Sequence, residues 1–159
     1  MKNVIRKKLA LVAHDNMKAD LARWVEWNWE ILLDHHLVCT GTTGKMVAKA
    51  LIDRKENHHS QFDITMLKSG PLGGDQQLGA MIAAGEIDAL IFFSDPMQAQ
   101  PHDVDVKALL RLASLYNVPT AINRSTADFL ISSPLFVCDY VPEVRDYSSY
   151  VTRALSTEE

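Results

Sequence analysis

Short apolar runs alternate along the chain with segments whose apolar positions recur at helical spacing. "LALVA" (9–13) reads as a buried strand. After it, Asp15 is placed to cap a helix whose apolar positions are Met17, Leu21, Trp24, Val25 and Leu32. "HLVCT" (36–40) gives a second strand that runs into "TGTTG" (40–44), and a helix is predicted over about 44–53. A polar loop, "ENHHSQ" (56–61), leads to a third strand, "FDITML" (62–67). "SGPLGGDQQLG" (69–79) follows and opens a helix over about 75–84. "DALIFF" (88–93) is a fourth strand. "HDVDVKALLRLASLY" (102–116) starts at an Asp103 cap and sets Val106, Leu109, Leu110 and Ala113 on one face. "VPTAI" (118–122) predicts a fifth strand and "TADFLIS" (126–132) a short helix.

Strands that are apolar almost throughout, alternating with helices, predict a three-layer α/β/α domain around a five-stranded, mainly parallel sheet. Without a composition break, repeat or linker, residues 1–159 read as one domain, with its core at about 8–147 and a short C-terminal tail. In such sheets functional groups gather beyond the carboxyl ends of the strands. The unusual polar clusters fall there: His14-Asp15, the Thr40–Gly44 run, the Ser69–Asp75 run, Ser94-Asp95-Pro96 and, slightly further on, His102–Asp105. Five clusters on one rim outweigh any single one.

Composition narrows the partners. A chain that is 47% hydrophobic and 23% charged is ordinary for a globular protein. Its net charge of −4 argues against nucleic acid, which favours a basic stripe. Two cysteines, Cys39 and Cys138, are too few for a disulfide framework and fit a reducing, cytoplasmic compartment. The basic-then-apolar start resembles a signal peptide, but its apolar run ends at His14 and Asp15. No stretch nears the roughly 20 apolar residues of a membrane span.

The clusters suit a small anion. Gly41 and Gly44 permit tight backbone, while Thr40, Thr42 and Thr43 bring hydroxyls to a helix start, an arrangement fit for phosphate. Ordinary capping uses the same residue types, and on this cluster alone the two readings are even. Ser69-Gly70 is a second anion-nest candidate, and Lys18 could neutralise a phosphate or simply be a solvated lysine. Asp75 could cap its helix, and a cap can also be a base. His14 and His102 could be buried, hydrogen-bonded histidines; no HxxxH or CxxC spacing supports a metal. Asp95 before Pro96 could shape a turn, and Asp103 and Asp105 could complement a helix dipole. Trp24, Trp27 and Trp29 read as core or interface packing.

Taken together, "VAHD" (12–15), "TGTTG" (40–44), "SGPLGGDQQLG" (69–79), "IFFSDP" (91–96) and "PHDVDVKALLRLA" (101–113) resemble the methylglyoxal synthase family. The order and spacing match from about Lys8 to Tyr147, and "GPLGGDQQ" with "PHDVDVKALLR" is the most specific part. The resemblance implies conversion of dihydroxyacetone phosphate to methylglyoxal and inorganic phosphate, a chemistry that calls for no metal or organic cofactor. It implies a catalytic carboxylate at Asp75. His102, His14, Lys18, Thr40, Gly41, Thr42, Thr43, Ser69 and Gly70 would contact substrate, and Asp15, Asp95 and Asp105 would be further acids nearby. It also implies a homohexamer inhibited by phosphate. The polar stretch around 53–62 is longer than the family pattern, and Arg153 is a loose match to an arginine linked to subunit signalling.

The residue types agree with that chemistry. A proton alpha to a ketone needs a base, and a free Asp, with a pKa of about 3.9, is a weak one. Burial raises that value and removes water. The expectation is that Asp75 takes the proton and His102, as a neutral imidazole oriented by Asp103 or Asp105, stabilises the enediolate. Two other classes compete. A regulatory domain sensing phosphate or a nucleotide needs the glycine and threonine loops but not Asp75 with His102. A receiver-type signalling domain shares the strand-end acids and a lysine but not the phosphate loops.

Overall fold

The computed structural model describes residues 5–52 and 62–152. The polar stretch "ENHHSQ" and Arg153 lie outside the described residues. Five strands form one sheet: β1 (Lys8–Ala13), β2 (His36–Thr40), β3 (Asp63–Leu67), β4 (Ala89–Phe93) and β5 (Thr120–Ala121). Their spatial order is β3-β2-β1-β4-β5, and every neighbouring pair is parallel.

Alternation along the strands sorts the core into two layers, because successive side chains leave a strand on opposite faces. Leu9 and Leu11 of β1, with Leu37, Ile91 and Phe93, pack on one face. Against them lie α1 (Lys18–Trp27), α2 (Trp29–Leu33), α3 (Gly41–Ile52) and α6 (Arg124–Ser132). Ala10, Val12, Val38, Leu90 and Phe92 point the other way, toward α4 (Gly74–Ala83) and α5 (Asp103–Leu115). A short α7 (Ser148–Val151) near the end of the described chain has no counterpart in the sequence reading. Trp24 is fully buried, and its indole N–H is satisfied by Asp128 Oδ1 at 2.8 Å, which joins α1 to α6.

The element types follow the apolar pattern, but several boundaries and caps do not. Asp15 does not cap the first helix. It begins a 3₁₀ turn, Asp15–Met17, whose N-cap position is the extended His14, and its carboxylate pairs with Lys18. The segment from Met17 to Leu32 is two helices rather than one. The break at Asn28 leaves Trp27 82% exposed while Trp29 and Leu32 turn back to the core. Helix α3 starts at Gly41, so Thr40 ends β2 while Thr42 and Thr43 occupy the first helical turn and not a loop before it. Asp75 and Asp103 lie inside the first turns of α4 and α5, and the N-cap positions belong to Gly73 and His102. Only Thr120–Ala121 of the fifth apolar run joins the sheet, since Pro119 has no N–H for the ladder.

The sheet order fixes where a ligand fits. From β1 the chain steps outward to β2 and β3, then returns to place β4 on the other side of β1. The order reverses between β1 and β4, and a crevice opens beyond the carboxyl ends of these strands.

Candidate active site

A cleft of about 360 Å³ occupies that crevice. Its wall includes His14, Asp15 and Lys18 after β1, Thr40, Thr42 and Thr43 around the end of β2, Ser69, Gly70 and Asp75 after β3, and His102 before α5. These are most of the sequence-predicted residues, brought together from segments far apart in the chain. Gly41 approaches from behind. It has φ +28°, and a Cβ there would meet Ser69 Cα at 2.5 Å, so the starts of the β2 and β3 exits touch only because the residue is glycine. The Gly41 amide donates to Lys68 O at 3.0 Å, and Gln77 Oε1 accepts from the Lys68 amide at 2.8 Å. Part of the amide-rich "GGDQQ" run is thus a brace for the loop after β3.

One group of side chains is cationic and hydroxylic. Lys18 Nζ donates to Asp15 Oδ1 and to Thr42 Oγ1, each at 2.5 Å. The Lys18 ammonium holds the exposed Asp15 carboxyl below the usual carboxylate range, through the hydrogen bond first and its charge second. Thr40 and Thr43 are buried beside it. The start of α3 adds first-turn amides and the positive end of a helix, which favour an anion.

The other group is acid and imidazole. Asp75 is buried, and its Oδ2 has no hydrogen-bond partner. It lies 3.6 Å from His102 Nε2. Burial pushes the Asp75 carboxyl above its ordinary value; the nearby His102 opposes this, and the like charge of Asp105 adds to it. Gly70 makes the pairing possible: a Cβ there would sit 2.9 Å from both Asp75 Oδ2 and His102 Nε2. His14 stands edge-on to His102, with ring centroids 6.0 Å apart. Its Nδ1 accepts the Asp95 amide N–H at 2.9 Å, and burial, then the neighbouring His102, lower its pKa. A neutral ring accepting at Nδ1 carries its proton on Nε2. That nitrogen is buried without a partner, as is His102 Nδ1.

The expected orientation of His102 by Asp103 or Asp105 is not present. Asp103 Oδ1 accepts from the Gln100 amide, and Asp105 lies behind Asp75 in a small groove between α4 and α5. Asp95 also stays out of the cleft wall and acts through its amide on His14. The sequence reading missed Val12, Ala13, Phe92, Pro71, Gln100 and Pro101, which complete the wall. Val12, Ala13 and Phe92 look like core in the sequence; only their place at strand ends marks them. Among the described residues, no group of three or more His, Cys, Asp or Glu is arranged to hold a metal ion.

A phosphate sensor needs the first group alone. A carboxylate kept buried, with an oxygen free of hydrogen bonds and a raised pKa beside imidazole, is the equipment of proton transfer. The comparisons agree. Residues 30–122 match the family model described as an MGS-like domain. A methylglyoxal synthase of Maridesulfovibrio salexigens is 58% identical, the alignment covering 94% of this chain and 98% of that protein. That of Proteus mirabilis is 53% identical over 94% of this chain and 92% of its own. The chain belongs to the methylglyoxal synthase family. A crystal structure of methylglyoxal synthase from Elizabethkingia anophelis superposes with a TM-score of 0.82 at 48% identity, covering 96% of this chain and 95% of that one. Methylglyoxal synthases are lyases, and the catalytic reading of this fold stands in place of the sensing one. Among the described residues, no helix is long and apolar enough to cross a membrane.

Proposed function

We propose that this cleft converts dihydroxyacetone phosphate to methylglyoxal and inorganic phosphate, with Asp75 as the base. The observation that carries the proposal is the buried, unpartnered Asp75 Oδ2 beside His102, in the same cleft as the Lys18–Thr42 group. Lys18, the hydroxyls of Thr40, Thr42, Thr43 and Ser69, and the backbone at Gly41 and Gly70 hold the phosphate. Asp75 removes a proton from C3, the hydroxymethyl carbon, and leaves an enediolate across C2 and C3. His102 and the Nε2–H of His14 donate to its oxygens, where charge develops. As the C3 hydroxyl gives up its proton to the departing phosphate, electrons from the C3 oxygen form a new C3 carbonyl, shift the double bond to C1–C2 and expel phosphate from C1. The enol so formed takes a proton at C1 and becomes methylglyoxal. A wall that holds the C1–O bond parallel to the enediolate π system favours this loss over isomerisation.

Asp15, Asp95 and Asp105 serve this site indirectly: Asp15 on Lys18, Asp95 on His14, and Asp105 through the charge it places near Asp75. The homohexamer and the inhibition by phosphate implied by the family resemblance, and the cytoplasmic location suggested by the two cysteines, belong to the same proposal. Incubating the purified protein with dihydroxyacetone phosphate under chelator should yield methylglyoxal and phosphate in equal amounts. Absence of both would return the chain to the phosphate-sensing class.

A further inference from the structure

The loop after β4 carries a contact that the reaction does not obviously need. Asn16, one turn past β1, uses both hydrogens of its side-chain amide: one reaches Asp95 Oδ2 at 2.8 Å, the other Gln98 Oε1 at 2.7 Å. An ionised carboxylate only accepts, so the nitrogen end of this amide must face it. The same Asp95 carboxylate folds back onto the Met97 amide at 2.9 Å, and the Asp95 backbone N–H meets His14 Nδ1. Asn16 therefore fastens, from the β1 side, the loop whose backbone fixes the His14 ring. The same loop runs on through Gln100 and Pro101, which line the cleft, to His102.

We propose that Asn16 is a positioning residue of the active site, tying the loop after β4 so that the Asp95 amide holds His14 with Nε2–H facing the cleft. The inference rests on the role given to His14 in the proposed reaction, yet it makes a claim about ring tautomer that can be read without substrate. Without the tie, the Asp95 carboxylate keeps the Met97 amide, a contact within the loop itself, and the exposed Met97 and Gln98 side chains offer little packing to hold that loop against β1. The His14 ring would then be free to carry its proton on either nitrogen, and only one form donates to the enediolate.

Asn16→Leu keeps the approximate volume and removes both donors, and Asn16→Ala serves as a second variant in case the first perturbs the turn. In ¹⁵N-histidine spectra of the parent, His14 should appear as the Nε2–H tautomer with an acceptor Nδ1; in the variants it should become a mixture. Turnover should fall about tenfold, within the range that small misplacements of catalytic groups cause, with KM changed much less. In a His14→Ala background the same substitution should cost little more, since the coupling runs through that ring. A variant whose His14 spectrum equals the parent's overturns the proposal, whatever its activity or melting temperature. So does a loss that is undiminished in the His14→Ala background. A parent without synthase activity would instead sink the proposed reaction and leave the tautomer measurement to decide this claim.

Discussion

Two carboxylates line one cleft and have been given opposite surroundings. Asp15 has a side chain 84% exposed and a lysine bonded to it, and its pKa is lowered. Asp75 is buried, one of its oxygens has no partner, and its pKa is raised. Both come three or fewer residues into a helical turn after a strand, so local sequence does not separate them. Their neighbours do: Lys18 lies one turn beyond Asp15, whereas Asp75 is covered by the Gly70 turn and by His102 from a distant segment. In the proposed reaction the lysine-bonded acid tunes a cation for phosphate, and the buried one is left with affinity for a proton.

The largest expected effect breaks the pair apart. Asp75→Asn should lower turnover by at least about 100-fold, the low end for loss of a general base, and leave the fold intact. Asp15→Asn should cost less than about tenfold and act mainly on KM, through a loosened Lys18. Comparable losses in kcat for both would mean that burial does not set the two acids apart.

His102→Ala should lose roughly 10- to 1000-fold, the span for one missing oxyanion donor. His102→Gln, which keeps a donor of similar reach, should retain more. An Ala variant as active as the parent at saturating substrate would make His102 a structural residue. Gly70→Ala should also fall in activity by about tenfold or more, because its methyl would occupy the space between Asp75 and His102. Phosphate protection of the folded state against heat should survive in that variant, which separates a blocked acid group from a damaged cation group.

The two acids should also respond to pH with opposite sign. The folded pKa of Asp75 is raised, so its protonated form favours folding. Its contribution is complete below the ordinary carboxylate value of 3.8 and is lost as pH rises through the folded pKa. At neutral pH Asp75→Asn should therefore raise the melting temperature, and the gain should shrink in acid. Asp15 has a lowered folded pKa; its contribution is present above 3.8 and fades as pH falls through the folded value. Its exposure keeps that effect small. If Asp75 is the base, activity should decline in acid at a pH above the ordinary carboxylate range. Melting curves and kcat/KM measured across the acid range check both signs.

The smallest effect concerns the cation group. Phosphate that binds only the folded chain raises its melting temperature with concentration. Thr42→Val removes the hydroxyl that Lys18 contacts and should weaken that rise without abolishing it. A melting temperature indifferent to millimolar phosphate in both proteins would count against the anion cradle.

The apolar pattern alone was enough to place the five strands, most of the helices and the rim on which the chemistry sits, though not the break at Asn28 or the short α7. Apolar runs such as "DALIFF" cannot be solvated and must be buried on both faces, and polar clusters at their ends have only the crevice to face. Asp75 and His102 were legible for the same reason, and through the family motifs that contain them. Tertiary structure decided everything that depends on what lies across space. Asp15, Asp75 and Asp103 all look like helix caps in a one-dimensional reading. None is one, because Lys18, burial and the Gln100 amide respectively set where each carboxylate goes. Asp105 was expected beside His102 and instead lies behind Asp75. Asn16 carries no local mark at all. Its partners, Asp95 and Gln98, are about eighty positions away in the chain, and they become neighbours only because β1 and β4 lie side by side where the sheet order reverses.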